Sequence, residues 1–400
     1  MQDLRHAFRT LRKSPGFAVA TVGILALGIG ANTAIFSVVN AVLLQPLPLP
    51  AAEQLVKVTQ VPPRSAAGPD GMAVSPADFA DLRAGNRVFS AIAAYRGGAF
   101  TLTGTDRPES LSAATVSEDF FAVLSVQPRL GRIFTREEQE PGHDDVVILS
   151  HAFWQKRFGG DPRILGRVIR LDGRANTVIG VMGSDFRAPS WYPTIVEIWK
   201  PLATSAAERS VRNVRSRFVI ARLRPGVSPA QAQVEISLLA DRLARRYPGA
   251  DQGWGAAVLP LREYLVRAVR PALLLLLAAV GFVLLIACAN VANLVGVRSL
   301  GRSREMAIRS ALGAGRFRLV RQLGAEALLL TVAGAALGLY LARFGVALIV
   351  GFLGDELPRG LIVHPDLRVL AFTLGISLLV GLVVALAPAG SLGRRDLARK

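Results

Sequence analysis

Cysteine is almost missing from this 400-residue chain; Cys288 stands alone. One thiol closes no disulfide, so any part outside the cytoplasm must be held by an ordinary apolar core. Histidine is scarce too, and His6, His143, His151 and His364 are too scattered to suggest a ligand set. No HExxH motif or Cys/His cluster signals zinc, and no G-x-S-x-G turn presents a serine nucleophile. "GGDPRILGR" (159–167) has glycines but no Gly-Lys-Ser/Thr, and "GIGANT" (28–33) lacks the third glycine of a dinucleotide fingerprint. The acids Glu137, Glu138 and Glu140, with His143, Asp144 and Asp145, read as a solvated loop. The chain is therefore expected to be no enzyme and to hold no metal or cofactor of its own.

Charge is also in short supply, at 19% of residues against 51% hydrophobic, with mean hydropathy +0.39. Soluble chains carry about 25% charged residues. What charge there is leans one way, to a net +18, which suggests nucleic acid or an anionic membrane surface. Long charge-free runs decide between them. A helix needs about 20 mostly apolar residues to cross a bilayer, and four runs qualify. Residues 17–44, 271–297, 327–352 and 369–389 are predicted transmembrane helices, with Arg343 snorkelling towards a head-group region. The apolar part of the first run is too long for a signal peptide and has no clear small-x-small cleavage site, so a retained anchor is expected.

This predicts a membrane protein with four transmembrane α-helices and a large extracytoplasmic α/β (α+β) domain, residues 45–270, between the first and second. Segments 1–16, 298–326 and 390–400 share one side and hold 15 Lys/Arg against four acids. Residues 45–271 hold 29 against 22 over a much longer stretch. Basic charge marks the cytoplasmic side, which places both termini in the cytoplasm and 353–368 in a short outer loop. Charge gathered at membrane ends argues against nucleic acid as a partner and for lipid.

Within the external domain, "LVKVTQV" (55–61) alternates like a strand, and "RVIRLDGRANTVIGVM" (167–182) reads as a hairpin turning at Asp172-Gly173. Ser75 and Ser228, each followed by proline, read as helix N-caps. The second helix is expected to show an apolar face of Val234, Leu238, Leu239, Ala240 and Leu243.

Three features suit assembly. Ala26, Gly30 and Ala34 recur every four residues in the first span, a small-residue face that admits another helix or reflects chance spacing in an alanine-rich run. Leu4, Ala7, Phe8 and Leu11 form one face of an N-terminal amphipathic helix, 1–16, suited to the inner interface or serving as a positive flank. The segment "RSREMAIRSALGAGRFRLVRQ" (302–322) carries six arginines and one acid. Its Glu305–Arg309 pair is spaced i,i+4, and Gly313-Ala314-Gly315 breaks it before a second helix runs from Arg316 into the third span. Such a connection can lie in lipid or offer a face to a cytosolic protein.

Several stretches together, among them "KSPGFAVATVGILALGIGANTAIFSVVNAVLLQPLP", "VVILSHAFWQKRFGGDPRILGRVIRLDGRANTVIGVM" and "IACANVANLVGVRSLGRSREMAIRSALGAGRFRLVRQLGAEALLL", resemble the FtsX-like, macrolide-exporter-type permeases of ABC systems. The chain looks like one half of the bacterial subgroup in which two such units are fused. The resemblance implies a bacterial inner-membrane permease with a MacB-like periplasmic core domain, working with a separate ATP-binding subunit that holds ATP and Mg²⁺. It implies a second permease copy, as homodimer or paired half, and a periplasmic adaptor as a further partner. The implied function is export or extraction of an amphipathic substrate; the alternative is mechanotransmission to an external partner such as a cell-wall hydrolase, with no solute moved. It also places ATPase coupling on Arg304, Glu305, Ala307, Arg309, Ala311, Leu312, Gly313 and Ala314. Three residues depart from the family pattern: Gly324 stands where leucine is expected, Ser125 where glycine is, and Gly183 where proline is.

Overall fold

The computed structural model describes residues 8–9, 11–63, 71–104, 107–186, 196–301, 316–353 and 366–397. The contacts of the described residues divide into two units: residues 46–268 form one, and the helices on either side form the other.

The first unit is helical. Helix α1 (Pro15–Val39) starts with proline in its first turn and ends in a single π-helical turn, Asn40–Leu44. Among the described residues, three more apolar helices follow the elements of the other unit.

In that unit β1 (Leu55–Val61) precedes α2 (Pro76–Gly85), then β2 (Phe89–Thr103), β3 (Glu109–Val116), α3 (Phe120–Leu124), β4 (Leu130–Gly131), β5 (Val146–Leu149) and α4 (His151–Phe158). There follow β6 (Val168–Leu171), β7 (Arg174–Val181), β8 (Ile198–Pro201), α5 (Ala206–Arg209), β9 (Phe218–Leu223), α6 (Pro229–Arg246), α7 (Pro248–Asp251), β10 (Gly255–Pro260) and α8 (Leu261–Arg267). The strands form one sheet in the order β10-β1-β9-β2-β3-β8-β5-β7-β4, with β6 bridging β2 and β7. Its pairs are antiparallel except β3–β8 and β5–β7.

Sequence signals account for much of this layout. Asp172 and Gly173 both take positive φ (50° and 81°), the conformation a two-residue type I′ hairpin needs between β6 and β7. Ser75 accepts the N–H of Asp78, and Ser228 forms a full capping box with Gln231. The sheet separates apolar clusters. Val56, Val58, Ile92 and Val219 pack with Leu82 of α2 and Ile236 of α6. Tyr95, Phe120, Phe121 and Trp199 gather in a second cluster with Leu261 of α8. Phe153 and Trp154 of α4 close a third.

The expected apolar face of α6 needs correction. Val234 and Leu238 are exposed, whereas Ala232, Ile236 and Leu243 are buried, with Leu239 and Ala240 packed beside them. The core stripe runs through 232, 236, 239 and 243, a helical repeat on which positions 234 and 238 fall on the opposite side. The acidic loop needs correction too: Glu138 is buried and takes a bidentate bond from Arg132 at 2.6 and 2.9 Å. Burial works against its charge, but the Arg132 guanidinium and the Thr135 N–H hold its carboxyl below the usual range.

The remaining apolar helices are α9 (Arg270–Gly301), α10 (Arg316–Leu353) and α11 (Leu367–Leu397). Each of the four is long and apolar enough to cross a bilayer, over Pro15–Leu44, Arg270–Arg298, Gly324–Phe352 and Leu367–Val384. Helix α10 continues unbroken from Arg316, and α11 runs past residue 389 to Leu397.

Candidate functional site

Helices α1 and α10 approach backbone to backbone at glycines. A Cβ on Gly30 of α1 would lie 2.8 Å from the carbonyl oxygen of Gly338 in α10, and one on Gly338 would lie 2.9 Å from the carbonyl oxygen of Ala26. Added Cβ atoms on Gly334 and Gly345 would meet the Cβ of Leu25 at 2.7 Å and of Ala34 at 2.9 Å. Thus Ala26, Gly30 and Ala34 all lie buried on the side of α1 that faces α10. Backbones this near gain dispersion along the whole seam, the main source of helix affinity in a bilayer.

Polar bonds fix the other neighbours of α1. Asn32 Nδ2 donates to Gly28 of its own helix at 2.9 Å and across to the Val280 carbonyl of α9 at 2.8 Å. Thr33 and Thr373 of α11 share a hydroxyl bond at 3.1 Å, and the rings of Phe36 and Phe372 stack at 3.8 Å. Asp366 caps α11 through the Val369 N–H, and its other oxygen accepts from Asn40 (2.8 Å) and Gln45 (3.1 Å). At the opposite end Arg298 bonds Ser14 and lies over the Phe17 ring at 4.3 Å. Of the N-terminal face, Leu11 packs partly buried against the bundle core and Phe8 is 62% exposed; Leu4 lies outside the described residues. The coupling residues Arg304, Glu305, Ala307, Arg309, Ala311, Leu312, Gly313 and Ala314 also lie outside them.

The other unit holds a buried charge cluster. Asp78 of α2 accepts from Ser75 (2.6 Å) and Gln60 of β1 (2.7 Å), and Arg212 pairs with both Asp78 and Asp81. Asp251, ending α7, lies 3.3 Å from Arg215 and 3.6 Å from Arg212. Arg212 covers the Tyr247 ring at 3.5 Å and Arg215 covers Trp254 at 3.4 Å. Burial and the neighbouring Asp78 push the Asp251 carboxyl up to about 6, against the pull of the two arginines. Among the described residues no group of three or more His, Cys, Asp or Glu is arranged to hold a metal ion.

With this geometry in place, comparison with known families is decisive. Residues 18–239 match the family model of the MacB-like periplasmic core domain, and residues 277–397 that of the FtsX-like permease C-terminal region. The chain belongs to the MacB/FtsX-type permeases of ABC transporters. The macrolide export ATP-binding/permease protein MacB of Chromobacterium violaceum is 30% identical over 70% of this permease and 41% of its own length. A MacB protein of Yersinia pestis is 27% identical over 79% of this chain and 47% of its own. The permease thus spans less than half the length of these relatives. The solved periplasmic region of MacB from Actinobacillus actinomycetemcomitans aligns at 13% identity over 57% of this chain and 97% of that one, with a TM-score of 0.40, too low to carry weight.

The small-residue face of this permease is evident in sequence on α1 from Ala26, Gly30 and Ala34. Its counterpart was available in "TVAGAALGLYLARFG", where Gly334 and Gly338 are spaced four apart and Gly345 falls two turns further on. The Asp78–Arg212–Asp251 cluster had no local signal, since Asp78 lies 134 residues before Arg212, and Arg212 lies 39 before Asp251.

Proposed function

We propose that this permease couples ATP hydrolysis by a separate ATP-binding subunit to movement of its periplasmic core domain, exporting or extracting an amphipathic substrate. Both termini and the segment 298–326 face the cytoplasm, and residues 302–315 dock on the ATP-binding subunit. The working unit contains a second permease copy, and a periplasmic adaptor serves as outlet. The observation that carries the reading is the backbone-to-backbone seam of α1 and α10. Helix α10 follows the docking segment, and α1 leads through Gln45 into the core domain. A displacement delivered to α10 therefore passes to α1 without slack, because close-packed surfaces transmit shifts rather than absorb them.

The test is co-purification and ATPase stimulation with the partner subunit after reversing both charges, Glu305→Arg with Arg309→Glu. Loss of the complex is expected; an intact, fully stimulated complex would overturn the coupling assignment.

A second reading, mechanotransmission without solute movement, has its own support. Five polar groups buried in the bundle (Asn32, Thr33, Ser37, Thr373 and Ser377) bond to helix backbone or to one another. One copy is thus packed as a structural element. This reading predicts a stable partner of the core domain and no transport defect on deletion.

A further inference from the structure

A cleft of about 490 Å³ opens in the core-domain unit beside α2. Pro76, Phe79 and Leu202 give it an apolar wall, and four arginines (Arg83, Arg136, Arg209 and Arg217) line it against two glutamates, Glu118 and Glu140. The arginines are not equally engaged. Arg83 is held by Glu118 and by Asp119 at 2.8 Å. Arg209 is held by Glu140 at 2.6 Å and by the Thr204 carbonyl at 2.9 Å.

Arg217 is different. Its side chain is only 2% exposed, and one terminal nitrogen, Nη2, bonds Glu208. The other, Nη1, is buried with no hydrogen-bond partner. A second lining residue repeats this: Nε2 of Gln139 is also buried and unpartnered. Arg136, exposed on the same cleft, makes no ion pair among the described residues. A buried donor left unmade costs free energy, and folded proteins leave few so. Arg217 and Gln139, each with one donor unmet, line this opening together with the Arg136 guanidinium. Arginine's fork matches the oxygens of carboxylate and phosphate.

We infer that this cleft binds a small amphipathic anion, its carboxylate or phosphate among Arg217, Gln139 and Arg136 and its apolar body against Phe79 and Leu202. The volume lies within the about 300–1,000 Å³ of small-molecule sites. Orphan donors and apolar wall together select the class: inorganic phosphate leaves the wall bare, and a neutral amphiphile leaves the donors unmade. The inference rests on the exporter reading for its role, since it names cargo chemistry, but binding itself needs no ATP-binding subunit.

The experiment is calorimetry of the full chain in lipid nanodiscs, titrated with octyl phosphate, octanoate, octanol and inorganic phosphate. Octyl phosphate or octanoate should bind saturably, at least tenfold tighter than octanol or inorganic phosphate. Arg136→Ala, at an exposed position without an ion pair, should weaken that binding about tenfold, and Gln139→Leu likewise. Lys156→Ala, on α4, should change nothing. Equal binding of octanol, or of inorganic phosphate, would overturn the inference, as would indifference to both substitutions. Binding that follows the expected pattern while reconstituted vesicles move no octyl phosphate would leave the site standing and count against export of this class of cargo; absent binding would remove the site and leave the coupling mechanism untouched.

Discussion

Gly30 and Gly338 touch through their backbones: the space where a Cβ on Gly30 would sit is closed by the Gly338 carbonyl oxygen, 2.8 Å away. Every other glycine of α1 can be judged against that pair. Nothing lies within 4 Å of a Cβ added to Gly23, on the same helix. Gly30→Ala should therefore destabilise the chain by about 1–3 kcal/mol, as overpacking does, and Gly30→Leu more. Gly23→Ala should be neutral or slightly stabilising, since alanine is the better helix former. Thermal unfolding in detergent separates the two outcomes; equal effects would mean the seam is not formed.

The link from Asn32 to Val280 makes a milder prediction. Asn32→Leu removes the bond from α1 to α9 and leaves a carbonyl that its own helix already engages. A loss of about 0.6–2 kcal/mol is expected, the range for one interhelical bond in a membrane bundle. A cysteine crosslink between α1 and α9, more readily formed or lost in the variant, would report the same loosening.

Asp251 sets a pH dependence of definite sign. Its carboxyl ordinarily titrates near 3.8 and is pushed to about 6 in the fold. Between those values the folded chain holds a proton that the unfolded chain has released. The group's stabilising contribution is thus full below about 3.8 and is lost as pH rises through about 6. Asp251→Asn should flatten the melting-temperature profile between pH 4 and 7, and a profile unchanged by that substitution would refute the assignment. Trp254, stacked on Arg215, offers a fluorescence signal for the same transition.

Ser125 supplies the fourth test. It ends α3 in the left-handed region, with φ 55° and ψ 44°, and donates its N–H back to α3. A residue with a Cβ costs about 1–2 kcal/mol there, and glycine does not. Ser125→Gly should raise stability by about 0.5 kcal/mol once the glycine's greater freedom in the unfolded chain is set against the relief. Chemical denaturation of the purified chain is sensitive enough to read that gain.

That position also shows what a sequence discloses. A glycine was expected at 125 from family pattern, and the backbone there has the conformation glycine suits. The β6–β7 hairpin was legible because Asp172-Gly173 states its turn chemistry locally, and so were the Ser75 and Ser228 caps. Strand β2 was not: "FSAIAAYRGGAFTLT" mixes small residues and glycines without clean alternation, because it pairs with β9 along one part and with β3 along another. The side of α6 that faces the core was misjudged at Val234 and Leu238 because apolar residues lie all around that helix, and only packing decides which are covered. The cleft with Arg217 was invisible for a related reason. Its members come from α2, the 136–140 turn and the approach to β9, and an unmet donor leaves no mark in sequence.

The length of α10 has a mechanical consequence. Its 38 residues make a rod of about 57 Å, nearly twice the about 30 Å of a bilayer's hydrocarbon. Gly338, pressed on α1, sits well inside that rod rather than at an end, so the seam acts as a fulcrum. Rocking such a lever by about 10° sweeps one tip about 10 Å relative to the other. A displacement at Arg316, 22 residues before Gly338, thus reaches Leu353, 15 residues after it, reduced by about a third and reversed in direction across the pivot.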